Sequence, residues 1–309
     1  MMSSANRKSE IRNRKSLHVL VLAGGPSNER EISLISGRAV ADGLRAVGHD
    51  VTIGDVGPGN FDALDGSFDV VFPALHGAFG EDGVLQGEME RRGIAFVGSG
   101  ADASALGFDK TRTKDVWRKH GLPVPADGPG TPAPCVVKPN AGGSSLGITM
   151  CTTDQQRDAA LTADPDALCE QWITGPEWTV GILDDTALPP IRIDVGTGWF
   201  DYESKYAEDG APHCFELDAP PALVERVMAM SLEAHRLIGA RHLSRVDLML
   251  DRTGEPYLLE INTMPGFTPR SLLPDAAHHA GIAFPQLVDR LVRLALQRPH
   301  NAGGPNLSC

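Results

Sequence analysis

Four residues on two neighbouring strand-like runs carry the clearest chemistry in this sequence. The stretch from Leu243 to Ser271 reads LSRVDLMLDRTGEPYLLEINTMPGFTPRS. Two apolar runs flank a turn at Asp251 to Glu255, which predicts an antiparallel hairpin. Side chains alternate along a strand, so Arg245 and Asp247 share a face, as do Glu260 and Asn262. A register that sets Asp247 opposite Glu260 brings Asp247, Glu260 and Asn262 together beside Arg245. Three oxygen-bearing side chains without Cys or His suit a hard cation such as Mg²⁺, which keeps waters and takes substrate phosphates. A polar sheet face with one salt bridge has the same composition, so the hairpin alone leaves both readings open.

A second group suits an anion. Lys138 to Gly147, KPNAGGSSLG, sits between two strand-like runs. Its glycines let backbone N–H groups close on an anion, and Ser144 and Ser145 add hydroxyl donors. Lys138 would supply a point charge to a phosphate. Neither the GK[ST] signature nor a strand-to-helix context is present, and a glycine-rich hairpin turn reads the same way. Lys110, on a helical run, is a second phosphate lysine or a solvated one. Glu170, Trp172, Ile173 and Glu177 frame an apolar slot with carboxylates, suited to an adenine ring and ribose hydroxyls; edge-strand packing explains Trp172 equally well. Gly24 to Glu29 follows the first strand and opens a helix, with Ser27 the expected cap and Glu29 a first-turn carboxylate or a counter-charge for a substrate ammonium. His76 follows another strand, where open α/β sheets place ligands, although a structural histidine fits as well. Asp201 to Tyr206, DYESKY, is a polar-aromatic run typical of a mobile loop.

These residues need elements to hold them. Strand-like and helical runs alternate almost throughout, the sign of α/β architecture. Strands are predicted over 18–23, 51–56, 68–75, 94–97, 135–138, 147–151, 167–173 and 178–183. Helices are predicted after Gly25, with Ile32, Ile35, Ala39 and Leu44 as the inward stripe, and over 84–92, 108–119, 223–238 and 284–297. The Pro/Gly-rich stretch Gly121 to Pro134 reads as a loop. At 309 residues the chain fits two or three small α/β units. A net charge of −12 argues against a general nucleic-acid or membrane-surface binder, and the apolar runs are too short to span a bilayer. Five scattered cysteines with no CxxC spacing suit reduced thiols in a cytosolic enzyme. Residues 1–16 are polar and basic without the apolar core of a secretory signal.

Eight blocks in order, GGPSNEREIS, ALHGAFGEDGVLQG, VGSGADASALGFDKTRTK, VKPNAGGSSLG, EQWITGPEWTVGIL, DYESKY, RVDLMLD and LLEINTMPGFTPRSL, resemble the D-alanine–D-alanine ligases of the ATP-grasp superfamily. The resemblance runs from about Leu17 to Leu296. It implies a three-domain ATP-grasp fold: an N-terminal parallel-sheet α/β domain over 17–106, and two α+β domains clasping ATP, a shortened central one over 107–183 and a C-terminal one over 184–297. Tails at 1–16 and 298–309 complete the division. It implies ATP-dependent ligation of two D-alanine molecules through an acyl phosphate, for peptidoglycan precursors, in the cytoplasm and as a homodimer.

Residue by residue, the resemblance makes Lys110 and Lys138 the ATP-phosphate lysines and Ser144 and Ser145 the lid donors. Glu170, Trp172, Ile173 and Glu177 become adenine and ribose contacts. Asp247, Glu260 and Asn262 become ligands of two Mg²⁺ ions, for which Mn²⁺ can substitute. Arg245 and the Gly266 N–H stabilise the developing oxyanion. Glu29 anchors the first substrate's ammonium, Ser271 and Leu272 bind the second substrate's carboxylate, and His76 and Lys205 stand on the substrate side. Tyr206 hydrogen-bonds with Ser144 and Glu29, and its presence favours the dipeptide over an ester. Two departures stand out: Gly121 to Pro134 is shorter than usual, which predicts a missing central element, and Asn140 to Gly143 lacks the usual acidic residue, which predicts a more flexible lid. The rival readings are a related ligase using D-lactate or D-serine, and an impaired ATP-binding homologue.

Overall fold

The computed structural model describes residues 16–143, 147–193 and 213–297. β1 (His18–Leu22) is the run HVLVL, buried from Val19 to Leu22, as a strand covered on both faces must be. It pairs in parallel with β2 (Asp50–Gly54) and β3 (Val70–Pro73) in the order β2-β1-β3. The run at 94–97 touches this sheet only through Val71, which bonds Ala95 and Val97. Glycines with positive φ on either side, Gly93 and Gly98, turn the chain away and leave no room for a longer ladder.

α1 (Arg30–Ala46) begins later than the sequence suggests. Glu29 takes the cap position without a side-chain cap bond, and the Ser27 hydroxyl instead donates to the His76 carbonyl at 2.6 Å. Its buried face is also different: Ile35 is exposed, while Ser33, Ser36, Gly37, Val40 and Leu44 face inward. The serines can be buried because they are bonded, Ser33 Oγ donating to the Ala74 carbonyl at 2.6 Å and accepting from Gly24 N at 2.8 Å. At Gly37 an added Cβ would lie 2.3 Å from the Ala23 Cβ, so a small residue is needed for the helix to reach β1.

After α2 (Val84–Arg91) comes a helix not predicted from the sequence, α3 (Ala101–Phe108), and then the helix predicted over 108–119, α4 (Lys110–Lys119). Asp109 breaks them with extended backbone and caps α4, accepting from Arg112 N at 3.0 Å. Trp117 of α4 is fully buried and donates to the Ala234 carbonyl at 3.1 Å, which fixes α4 against α6 (Pro221–Leu237).

A small antiparallel sheet follows, β5-β4-β6, formed by β4 (Cys135–Lys138), β5 (Thr149–Cys151) and β6 (Leu168–Gln171). α5 (Asp154–Ala163) packs on it behind a capping box of Thr153 and Gln156. Gly121 to Pro134 has no regular element but is stitched down. Gln171 N donates to the Ala126 carbonyl at 2.7 Å, Gly128 N to Cys169 at 2.9 Å, and Leu258 N to Pro123 at 2.9 Å.

The largest sheet runs β10-β9-β7-β11-β12, with β8 (Thr186–Ala187) also on β7. Its members are β7 (Glu177–Leu183), β9 (Ile191–Ile193), β10 (His213–Cys214) and the hairpin β11 (Leu243–Leu250) and β12 (Pro256–Asn262). The strand at 177–183, expected at the end of the central domain, thus pairs along β11 in the C-terminal sheet. α7 (Leu272–His279) and α8 (Phe284–Gln297) complete the chain. α8 carries its apolar face back onto α1, so β1, β3, α1, α7 and α8 share one core. His49 ties the same seam, accepting from Leu17 N at 3.1 Å and meeting Asp289 at 2.8 Å.

Leu291 of α8 is fully buried in that shared core. Leu291→Ala is expected to cost about 3 kcal/mol in denaturant unfolding, as for a well-packed core leucine. A loss below about 1 kcal/mol would mean that α8 is an appendage rather than part of the N-terminal core.

Candidate active site between the central and C-terminal sheets

The hairpin takes the register expected from its alternation. Asp247 pairs with Glu260 and Arg245 with Asn262 across β11 and β12, with a bulge after Asp247. Asp251 closes the turn, its Oδ1 accepting from Thr253 N at 2.8 Å and Glu255 N at 2.9 Å. The Asp247 carboxylate is buried and held by Arg245 in two bonds, 2.9 Å from Nε and 2.7 Å from Nη2, and by the Thr179 hydroxyl at 2.6 Å. Asn262 Oδ1 accepts from Met264 N at 2.8 Å, which fixes the amide. Two carboxylates on facing strands with an amide oxygen beside them fit a hard divalent cation. Among the described residues no cluster of three His, Cys, Asp or Glu forms.

Two short strands and one helix set the cations. Lys110 Nζ donates to the Gly142 carbonyl at 2.6 Å and lies 3.3 Å from Glu260 Oε2. Lys138, at the end of β4, lies 2.5 Å from Glu170 Oε1. The other oxygen of Glu170 meets Lys114, one helical turn after Lys110 and fully buried. Burial pulls the Lys138 ammonium down to about 8, with Glu260 opposing and Lys110 adding to the fall. Burial, and then repulsion from Lys138, push Lys114 well below the usual lysine range. Asn140 pins the glycine-rich turn to α4: its Oδ1 accepts from Thr111 N at 2.8 Å and its Nδ2 donates to Asp109 at 3.0 Å.

One cavity of about 570 Å³ joins these groups, in the range of small-molecule sites. Of the residues singled out from sequence, Glu29, Lys110, Lys138, Glu170, Trp172, Ile173, Glu177, Asp247 and Glu260 line it. Val136, Ile148, Met249 and Leu259 add apolar walls around Trp172 and Ile173, a slot for a flat ring. A small adjoining recess holds Asn262 with Lys110, Glu260 and Glu81.

His76, Arg245, Gly266, Ser271 and Leu272 stand outside that lining. The His76 ring sits 3.1 Å from Ser36 Oγ, which also accepts from Phe267 N at 3.3 Å, so the first sheet is tied to the loop holding Gly266. On its other side His76 is 3.5 Å from Glu81, whose carboxylate accepts from Gly77 N at 3.0 Å. Burial raises the Glu81 carboxyl, with His76 opposing. Ser271 caps the approach to α7, its Oγ accepting from Thr268 N at 2.9 Å. At Gly266 an added Cβ would lie 2.7 Å from that Oγ. Ser144, Ser145, Lys205 and Tyr206 lie outside the described residues. Sequence reasoning passed over Lys114, Met249 and Leu259, and placed Glu81 with His76 at a ligand-bearing strand end without a role; for Lys114 the four-residue spacing from Lys110 was the available signal.

A buried pair of lysines, a carboxylate hairpin and an apolar slot between two antiparallel sheets fit an ATP-grasp ligase. The description "D-ala D-ala ligase C-terminus" matches residues 130–293, and "D-ala D-ala ligase N-terminus" matches residues 55–99. A D-alanine–D-alanine ligase of Alcanivorax borkumensis is 42% identical over 290 residues, covering 91% of this chain and 94% of that one. One from Alkalilimnicola ehrlichii is 42% identical over 308 residues, covering 93% and 96%. The ATP-complexed D-alanine–D-alanine ligase of Bacillus anthracis superposes with a TM-score of 0.77 at 29% identity, covering 91% of this chain and 98% of that one. The Coxiella burnetii enzyme gives 0.79 at 24% identity, covering 92% and 95%, a likeness of fold. The chain belongs to the D-alanine–D-alanine ligase family.

Because a lysine grips phosphate only while protonated, nucleotide affinity should weaken as pH rises through about 8, where Lys138 loses its charge. Calorimetric titration with a non-hydrolysable ATP analogue checks this. Lys138→Arg, which stays charged, should flatten the rise in Kd; a wild-type affinity constant from pH 7 to 9.5 would contradict the assignment.

Proposed function

We propose that the cavity joins two D-alanine molecules at the expense of ATP. As a member of its family the protein is an ATP-dependent ligase making D-alanyl-D-alanine for peptidoglycan precursors. The observation that carries the residue-level reading is one cavity with phosphate lysines, paired carboxylates and Glu29 along its walls.

Glu29 takes the ammonium of the first D-alanine, leaving its carboxylate toward the phosphates. Lys110 and Lys138 hold the β- and γ-phosphates of ATP and spread their charge. A carboxylate oxygen attacks the γ-phosphorus, the bond to ADP breaks, and an acyl phosphate forms. Asp247, Glu260 and Asn262 would hold Mg²⁺, or Mn²⁺ in its place, which neutralises phosphate charge when bound. The deprotonated amine of the second D-alanine, its carboxylate at Ser271 and Leu272, then attacks the acyl carbon. Arg245 and the Gly266 N–H meet the oxyanion of the tetrahedral intermediate, and phosphate leaves as the carbonyl reforms. Most of the work is positioning and charge neutralisation. Trp172, Ile173 and Glu177 receive the adenine and ribose, and Glu170 stands at the inner end of that slot.

We place the protein in the cytoplasm and carry over the homodimer as what the family resemblance implies. In support, ATP is a cytosolic substrate, and the four described cysteines are free thiols. Among the described residues no helix is long and apolar enough to cross a membrane.

Phosphate release from ATP and Mg²⁺ should require D-alanine, fail with L-alanine, and yield a product with the mass of D-alanyl-D-alanine even beside D-lactate. A mixed ester as main product would transfer the specificity to the hydroxy acid. Glu260→Ala should lower kcat by about a hundredfold or more in protein that keeps its fold by circular dichroism. Near-normal turnover at ordinary Mg²⁺ would remove Glu260 from the metal set.

A further inference from the structure

We propose that Lys114 is a positioning residue of the nucleotide site: it keeps Glu170 partnered, so that Lys138 can leave that carboxylate for the phosphates. The inference rests on the assignment of Lys138 to the phosphates and adds a residue that does not touch the nucleotide. Lys114 has no exposed side-chain surface and does not line the cavity, whereas Lys110, one turn earlier, does.

Glu170 joins the two lysines: its side chain is 4% exposed, and its two oxygens are divided between Lys114 and Lys138. A phosphate that captures Lys138 takes one partner away. Stranding a buried carboxylate is costly, and that cost would be charged against nucleotide binding. With Lys114 in place, Glu170 keeps a bonded cation throughout. The two lysines are also held differently. Lys114 rides on α4, anchored by the Trp117 bond to Ala234. Lys138 ends β4, directly before the glycine-rich turn. One stays with Glu170 while the other reaches into the cavity, which Lys138 already lines.

The test compares steady-state constants of the full chain for ATP and D-alanine. Lys114→Met should raise KM for ATP about tenfold, the coupling expected of one buried charge contact, with kcat changed less than about threefold and KM for D-alanine unmoved. Lys114→Arg should restore the ATP constant. In a Glu170→Gln background, where no carboxylate can be stranded, Lys114→Met should have no further effect on KM. A merely structural Lys114 would instead lower stability and shift all constants alike, with or without Glu170. Equal KM shifts in both backgrounds, or an unchanged ATP constant in Lys114→Met, would overturn the proposal; if Lys114→Met does not fold, Lys114→Gln serves in its place. Lys138→Met separates the two levels: an unaltered ATP constant there would remove the phosphate assignment itself, whereas a raised one beside a silent Lys114→Met would remove the positioning role alone.

Discussion

Three lysines and one glutamate withdrawn from water set the terms for everything around them. Lys110, Lys114 and Lys138 are nearly or fully buried, and Glu170 and Glu260 are the carboxylates they meet. Desolvating such ions costs several kcal/mol each unless they are paired and held. The holding falls to backbone geometry: β4 and β6 place Val136 opposite Glu170 and Lys138 opposite Leu168, and α4 starts at an Asp109 cap that Asn140 ties to the glycine-rich turn. On the proposed assignment of Lys110 and Lys138 to the phosphates, nucleotide binding exchanges one set of anions for another rather than filling an unpaired cationic pocket.

The substrate end depends on a different constraint. Because α7 and α8 share a core with β1, β3 and α1, the carboxylate of Glu29 and the loop around Gly266 are parts of one packed body. Ser36 makes the link local, meeting His76 on one side and Phe267 N on the other. Phe267 packs edge-on against Phe72, with ring centres 5.1 Å apart. The ammonium site proposed at Glu29 and the oxyanion donor proposed at Gly266 come from opposite ends of the chain, and this shared packing would hold them at a fixed separation, which attack of one substrate on the other requires.

Much of this was legible in the residues. The hairpin register followed from strict alternation and a strong turn, because a one-residue slip would turn Asp247 and Glu260 to opposite faces. α8 was legible from its apolar stripe. The inward face of α1 was not, since Ser33 and Ser36 are buried by hydrogen bonds that only the neighbouring strand ends provide, and Ile35 is left outside. α5 was missed although Thr153 and Gln156 spell its capping box. Lys114 was missed because a lone helical lysine reads as solvated until its carboxylate partner, 56 residues on, is placed beside it. The short stretch from Gly121 to Pro134 reads as slack, yet its backbone bonds run to β6 and β12. Ser144 and Ser145 rest on their place in the glycine-rich turn and on the resemblance, and Lys205 and Tyr206 on the resemblance, all four lying outside the described residues.

The central claim is that a substrate carboxylate oxygen is transferred to phosphorus in a cavity shaped for that attack. Turnover with D-alanine labelled with ¹⁸O in its carboxylate, followed by mass analysis of the released phosphate, tests it most directly. Direct attack on the γ-phosphate predicts one labelled oxygen in each phosphate and the loss of one from the acyl carbon of the dipeptide. Unlabelled phosphate, with the dipeptide formed, would contradict the acyl phosphate and the reading of Lys110, Lys138 and the hairpin as its assembly site.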